Sequence, residues 1–438
     1  MHGRPVVITG IGAVTPLGLN AKDLWAGLCT GRCGIRRIRA FDPVGFTCQL
    51  AGEVGEYDIR KHVPKYHRKA TKLMSRDIEL SVMAANEAIA DSGLVTKAAE
   101  AGGPTVDPRR FAINLGAGLI SCDLRELGPS VAASITDGKF DIRRWGAAGM
   151  QTLTPLWLLK YLPNMLPCHI GIIHDIQGPS NTITCGEAGA LLAIGEAAEV
   201  IARGDADVAL SGGCEAKVNP IVLLRQCLLK RSTSASNDDP DHACRPFDAD
   251  AQGSVFGEGA AMLVLEHLDH AISRGATIYA EVIGVGGSTS LNRSYEHPEP
   301  DGKGIEIAIQ QALDEARLKG SDLDLIVPHG TGIAADDKAE AAAIAAVLGD
   351  AVETVPVWPI KSMTSHIGAA SGALDAVTAA KAMQEGFVGG AVNCERKAEG
   401  CRLNISGAAR RKAIRHALAC SYTFGGQTAA LVLRKYEG

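Results

Sequence analysis

"GPSNTITCGEAGALLAIGEAAEVIARGDADVALSGG", Gly178 to Gly213, joins three kinds of local pattern in one run. A short strand-like piece reaches Thr184. After a turn, Ala190–Ala206 spaces its apolar residues near 3.6 with a polar face, which predicts a helix; Asp207–Ser211 then reads as a buried strand. At the handover from strand to helix stand Cys185 and Glu187, two residues apart. An acyl-transfer enzyme would carry its nucleophile at such a place.

The same alternation runs outward from this segment. Val6–Gly10, Phe111–Leu115, Leu323–Pro328 and Val355–Ile360 read as further buried strands, and Asp77–Gly93 as an amphipathic helix. Gly259–Gly286 reads as strand, short helix, strand, and the last stretch as two strands joined by a turn at Gly425–Gly426. Polar, Gly- or Pro-containing loops are expected at Glu100–Asp107 and Ser232–Asp241. The fold class is therefore α/β, with largely buried sheets. No repeat shows on direct comparison of the halves.

With 438 residues, 46% hydrophobic and 21% charged, the chain can bury a sizeable core, and 4% aromatics make that core aliphatic. A net charge of -5 offers nucleic acid no overall attraction. No apolar run approaches the ~20 residues of a membrane helix, and the N-terminus lacks a secretory pattern. The 12 cysteines are scattered without CxxC pairs or metal spacing, as in a reduced cytoplasmic protein.

Three small-residue segments carry polar groups beside apolar strands. "PHGTGIAADDKAEAAAI" sets His329 after a strand, "IKSMTSHIGAASGAL" sets Lys361 after another and His366 before a helix, and "SYTFGGQT" puts Phe424 in a tight turn. One such histidine is usually structural; two, each between a strand and a Gly/Ala-rich helix start, point to a site.

These segments, with "VVITGIGAVTPLG" at the start and "ACRPFDADAQGSVFGEGAAMLVLEHLDHAISRGATIYAEVIG" in the middle, follow one order and spacing. In this the chain resembles the β-ketoacyl-carrier-protein synthases (ketosynthases), over essentially its whole length. The resemblance implies a thiolase-like five-layered α-β-α-β-α fold from two similar halves, here 1–265 and 266–438. It implies a homodimer or a heterodimer with another ketosynthase, a cytoplasmic place in fatty-acid or polyketide biosynthesis, and substrates held on an acyl carrier protein without another cofactor or metal. By resemblance, His329 and His366 are the histidines that promote malonyl decarboxylation and stabilise the enolate. Lys361 is an orienting cation, Phe424 the gate whose backbone N–H helps form an oxyanion hole, and Thr331 a contact to the pantetheine arm.

The nucleophile position departs from the family. Counted without gaps between Gly178-Pro179-Ser180 and Gly204–Asp207, the family's cysteine falls on Glu187, and Cys185 lies two residues early. Ile333 replaces a threonine, Thr423 a glycine before the gate, and Gln427-Thr428 a Thr-Asn pair. Three activities follow as expectations: a non-condensing, malonyl-decarboxylase-like member; a non-catalytic chain-length-factor-type subunit; or a condensing 3-oxoacyl synthase using Cys185. A protonated Glu187 would suit the first by imitating an acylated cysteine.

"RKHVPKYHRKATKLMSR", Arg60 to Arg76, concentrates positive charge in an otherwise acidic chain. A solvated helix face is the plain reading. The resemblance makes it the seat of an acidic carrier protein, with Lys65, Arg68 and Lys69 as contacts.

Overall fold

The structure is a computed structural model describing residues 3–99, 102–235, 237–290, 292 and 296–438. Glu100, Ala101 and Ser236 of the two expected loops lie outside the described residues. Nine strands form one sheet: β1 (Val6–Val14), β2 (Phe111–Ala117), β3 (Ser180–Ile183), β4 (Val208–Ala216), β5 (Glu258–His267), β6 (Ala280–Thr289), β7 (Leu325–Val327), β8 (His416–Tyr422) and β9 (Gln427–Arg434). Their order is β7-β8-β9-β6-β1-β5-β4-β2-β3. Only Val6–Ile8 of β1 meets Ala280–Val282 of β6, so that short seam divides the sheet into two parts.

The parts repeat one plan. From β3 inward, the pairings are parallel to β2, parallel to β4, antiparallel to β5 and antiparallel to β1. In the second part, Val357 bridges β7 in parallel, β7 runs parallel to β8, and β8–β9 and β9–β6 are antiparallel. Val355–Ile360 thus occupies the place of β3 but forms isolated bridges, not the expected strand. Pro356 and Pro359 have no N–H to give a ladder.

Alternation along the strands sorts their side chains into three cores. Ala209 of β4 faces a central core, while Val208 and Leu210 face an outer one. In the central core, α3 (Gly189–Ala202) and α6 (Ser371–Glu385) lie between the two sheet parts. Outside the first part pack α1 (Arg76–Asp91) and α2 (Met165–His174), through Ile78, Val82 and Ile170. Outside the second pack α4 (Lys303–Ala316) and α5 (Ala334–Leu348), through Ile309 and Ile344. The result is five layers, α-β-α-β-α.

Small residues bring the central helices close to the strands. A Cβ on Gly116 of β2 would come within 2.3 Å of the Ala190 amide nitrogen. Because α3 follows β3 and α6 follows the equivalent segment, the same plan used twice brings their N-terminal ends together. Among the described residues no helix is long and apolar enough to cross a membrane.

Candidate functional site

The chain leaves β3 and turns at Gly186, whose φ of 50° favours glycine. A 3₁₀ turn, Gly186–Ala188, then leads into α3 and carries Glu187, which is 5% exposed. Glu187 lines a cavity of about 390 Å³ with Gly118, Lys217, Arg225 and Phe424. Cys185, half-buried, is not among the described residues that line it.

His329 follows β7, and its loop is shaped by acidic side chains of α5. Glu340 accepts the amide N–H groups of His329 and Gly330, each at 2.7 Å. Asp337 accepts from the Thr331 amide at 2.7 Å and from the Thr331 hydroxyl at 3.1 Å. The Ile333 amide donates to that same hydroxyl oxygen. Thr331, expected to touch substrate, is therefore fully buried with its hydroxyl engaged inside the turn.

His366 is fixed by backbone bonds to the neighbouring loop: its N–H donates to the Val255 carbonyl, and its carbonyl accepts from Gly257. The Gly368 amide donates to its Nδ1 at 3.2 Å, so a neutral ring carries its proton on Nε2. That Nε2 lies 3.8 Å from Glu187 Oε1. The rings of His329 and His366 meet edge-on with centroids 5.1 Å apart.

Ser421 of β8 settles the other histidine. Its hydroxyl donates to the Glu187 carbonyl at 2.8 Å and lies 3.2 Å from His329 Nδ1. With its single proton committed to the carbonyl, the hydroxyl can only accept from His329, which leaves Nε2 of a neutral His329 as an acceptor. Burial, reinforced by Lys361, holds His329 well below the ordinary histidine range. Burial likewise pushes His366 down to about 3, although Glu187 opposes it. Both rings are neutral at pH 7.

Two further charged residues, Glu215 and Lys217, complete the centre. Lys217 Nζ lies 2.9 Å from Glu215 Oε1 and 3.7 Å from Glu187 Oε1, all with buried side chains. Burial raises Glu187, but Lys217 foremost, with its own backbone amide, outweighs it and holds the carboxyl below its usual range. Glu187 is therefore ionised, not the protonated imitation of an acylated cysteine. Glu215 accepts the Ala369 amide at 2.7 Å and sits against Gly118 and Gly368, where any Cβ would collide with its carboxylate.

Lys361 stands one layer back, donating to Asp375 of α6 at 3.2 Å with both side chains buried. Phe424 lines the cavity and lies over the Arg231 guanidinium, 4.8 Å from it. Thr423 donates through its hydroxyl to Gln427 at 2.8 Å, tying the turn before the gate to the strand after it.

Lys65, Arg68 and Lys69 lie far along the chain from this cluster, in an exposed 3₁₀ helix, Lys65–Leu73. At three residues per turn Lys65 and Arg68 eclipse, while Lys69 belongs to the neighbouring face with Lys72. Arg76, at the end of the basic run, pairs with Glu258 at 2.6 Å.

Family models described as "Beta-ketoacyl synthase, N-terminal domain" and "Beta-ketoacyl synthase, C-terminal domain" match residues 3–271 and 279–395. The chain belongs to the beta-ketoacyl synthase family. It is 33% identical to 3-oxoacyl-[acyl-carrier-protein] synthase 2 of Synechocystis sp., over 100% of this chain and 99% of that protein. Among solved structures, the ishigamide ketosynthase/chain length factor superposes with a TM-score of 0.84 at 29% identity, covering 99% of this chain and 100% of that one. A type II PKS acyl-carrier protein in complex with its ketosynthase bound to the hexaketide gives a TM-score of 0.80 at 25% identity, with 100% of both chains covered. This ketosynthase-family chain is thus a thiolase-fold protein of fatty-acid or polyketide biosynthesis, and its relatives are condensing acyltransferases. The sequence segment "GGCEAKVNP" held the signal for Glu215 and Lys217. Nothing in its spacing says that Lys217 folds back on Glu187.

Proposed function

We propose that the chain decarboxylates a malonyl group presented as a carrier thioester and does not condense it with an acyl chain. The carrying observation is the pairing of two neutral, buried histidines with an ionised carboxylate at the nucleophile position. A carboxylate at Glu187 is a poorer nucleophile than a thiolate towards a thioester. Cys185, outside the cavity wall, does not replace it.

In this reading the bond between the malonyl carboxylate and Cα breaks and carbon dioxide leaves. The electron pair passes into the thioester as an enolate, whose oxygen takes the N–H of His366 Nε2; Cα then takes a proton from water. A single such donor is typically worth about 3–4 kcal/mol in the transition state. His329, with Nε2 as an acceptor, orients the second side of the substrate rather than donating a like bond. The ionised Glu187 repels the malonyl carboxylate, and Lys217, shared with Glu215, offsets that charge only in part.

A chain-length-factor-type role is the second reading, favoured by the charged cluster at the base of the cavity and by the likeness to a ketosynthase/chain length factor structure. The purified chain with malonyl carrier protein, followed by mass spectrometry, separates the two. Formation of acetyl carrier protein that falls roughly 100-fold in His366→Ala supports decarboxylation. Equal rates in the variant and the parent overturn the role of His366. No product at all, with stimulation of a co-expressed ketosynthase, moves the assignment to the subunit.

A further inference from the structure

The ring of Phe424 is held from outside its own hairpin. The turn that carries it is closed at the base, where the Thr423 N–H donates to the Gln427 carbonyl at 2.8 Å and the Gly426 N–H to the Thr423 carbonyl at 3.0 Å. At the tip Gly425 is exposed and Phe424 half-buried, and the ring centroid lies 4.8 Å from the Arg231 guanidinium. The same phenylalanine lines the cavity that holds Glu187.

Arg231 is fixed independently of the ring. Its backbone N–H donates to the Gln226 carbonyl, and its carbonyl accepts from Ser254. The buried side chain commits Nη1 to the Glu296 carbonyl at 2.8 Å and Nη2 to Asp336 Oδ2 at 2.7 Å. The other Asp336 oxygen accepts from His297 Nδ1 at 2.6 Å. The Tyr422 hydroxyl donates to the Asp336 carbonyl at 3.2 Å, so the strand that enters the turn is tied to the same end of α5.

A buried ion pair is a poor source of stability, because desolvation consumes much of its Coulombic gain. What this one supplies is orientation. Both bonds lie in the guanidinium plane, which locks that plane and leaves a face for an aromatic ring. An apolar side chain of similar length would fill the space without fixing the ring to one place.

We propose that Arg231 is a positioning residue for Phe424: Asp336 and the Glu296 carbonyl set its guanidinium, and the guanidinium clamps the ring as a wall of the cavity, so that a bound thioester is retained behind it. The proposal rests on the reading that the cavity receives a carrier-bound thioester. Arg231 acts on that substrate only through the ring.

Hydrogen exchange of the full chain, read by mass spectrometry over residues 421–428, tests the clamp without any substrate. Arg231→Met keeps bulk and removes charge, and it should speed exchange of the Thr423 and Gly426 amides about tenfold. Arg231→Lys should restore most of the parent's protection. Phe424→Leu should speed exchange as much, and the double variant should be no faster than either single one. Phe424→Leu leaves the buried pair intact, so this arm decides the matter even where Arg231→Met does not fold. With malonyl carrier protein, Arg231→Met should raise KM about fivefold and lower kcat by a smaller factor. Parent-like exchange in Phe424→Leu or in Arg231→Met, additive effects in the double variant, or a loss confined to kcat would overturn the inference. Loosened exchange in the variants with no decarboxylation by any form, parent included, would remove the proposed activity and leave the clamp standing.

Discussion

Glu187 Oε1 lies 3.7 Å from Lys217 Nζ, and the same ammonium lies 2.9 Å from Glu215 Oε1, so one buried cation holds two buried carboxylates. Breaking such a cluster from the cation side leaves uncompensated charge, which typically costs about 3–5 kcal/mol. Lys217→Met should therefore lower unfolding free energy by about that amount. Glu187→Gln should cost much less, because Lys217 keeps Glu215. Urea denaturation of the two variants checks the ranking, and equal losses would contradict the shared-cation geometry.

Glu187→Gln should also leave malonyl decarboxylation intact or raise it roughly three- to tenfold, since the approaching carboxylate no longer meets a like charge. Acetyl carrier protein formation under single-turnover conditions reads this out. A loss of activity of tenfold or more would mean that the Glu187 carboxylate itself takes part in the reaction.

Three buried carboxyls should lose their stabilising contribution as pH rises from about 4 to 7. Burial pushes Asp77, Asp337 and Asp375 each up to about 7 from an ordinary value of 3.8. Between those values the folded chain holds protons that the unfolded chain has released. Their stabilising contribution is complete below the unfolded value and is lost as pH passes through 7. Each such group gives a slope of at most about 1.4 kcal/mol per pH unit. Asp77→Asn keeps an acceptor for the Ala216 amide but removes one titration, so it should flatten the curve. Parallel pH curves for the parent and Asp77→Asn between about pH 5.5 and 8 would refute the assignment, since the buried histidines, held low, add the same opposing slope to both.

Carrier binding should depend on the exposed basic segment. Changing Lys65, Arg68 and Lys69 to glutamate should weaken association with an acyl carrier protein about tenfold at low salt, through the association rate. The difference should shrink as salt shortens the screening length to about 8–10 Å. Surface plasmon resonance at two ionic strengths is the measurement, and identical kinetics for parent and variant would move the docking site elsewhere.

Much of the architecture was legible because β-rich runs and helical periodicity are local properties. Asp77–Gly93 became Arg76–Asp91, and the final hairpin appeared as expected at His416–Tyr422 and Gln427–Arg434. Val355–Ile360 failed as a strand because apolar composition does not count missing N–H groups, and two prolines interrupt it. The helix expected to run to Ala206 stops at Ala202, and Gly204, at φ 90°, carries the chain away. His329, His366 and Glu187 were visible as residues flanking strands. Their protonation was not, because it depends on Ser421 and Lys217, which come from other strands, and on the Gly368 amide turning back onto the His366 ring. Thr331 shows the converse: its place beside His329 was legible, but not that Asp337 and the Ile333 amide already occupy its hydroxyl.

β3, Ser180–Ile183, is the last strand of the sheet, and four residues beyond it the same chain segment carries Glu187. An edge strand is the natural landing place for another strand, although here the Thr182 N–H already donates to the Asn181 side chain. A neighbour added there would stiffen the very peptide on which the carboxylate rides, and Ser421, which grips the Glu187 carbonyl, would relay the constraint to His329. The edge of the sheet and the ring of His329 are thus separated by one peptide and one hydroxyl.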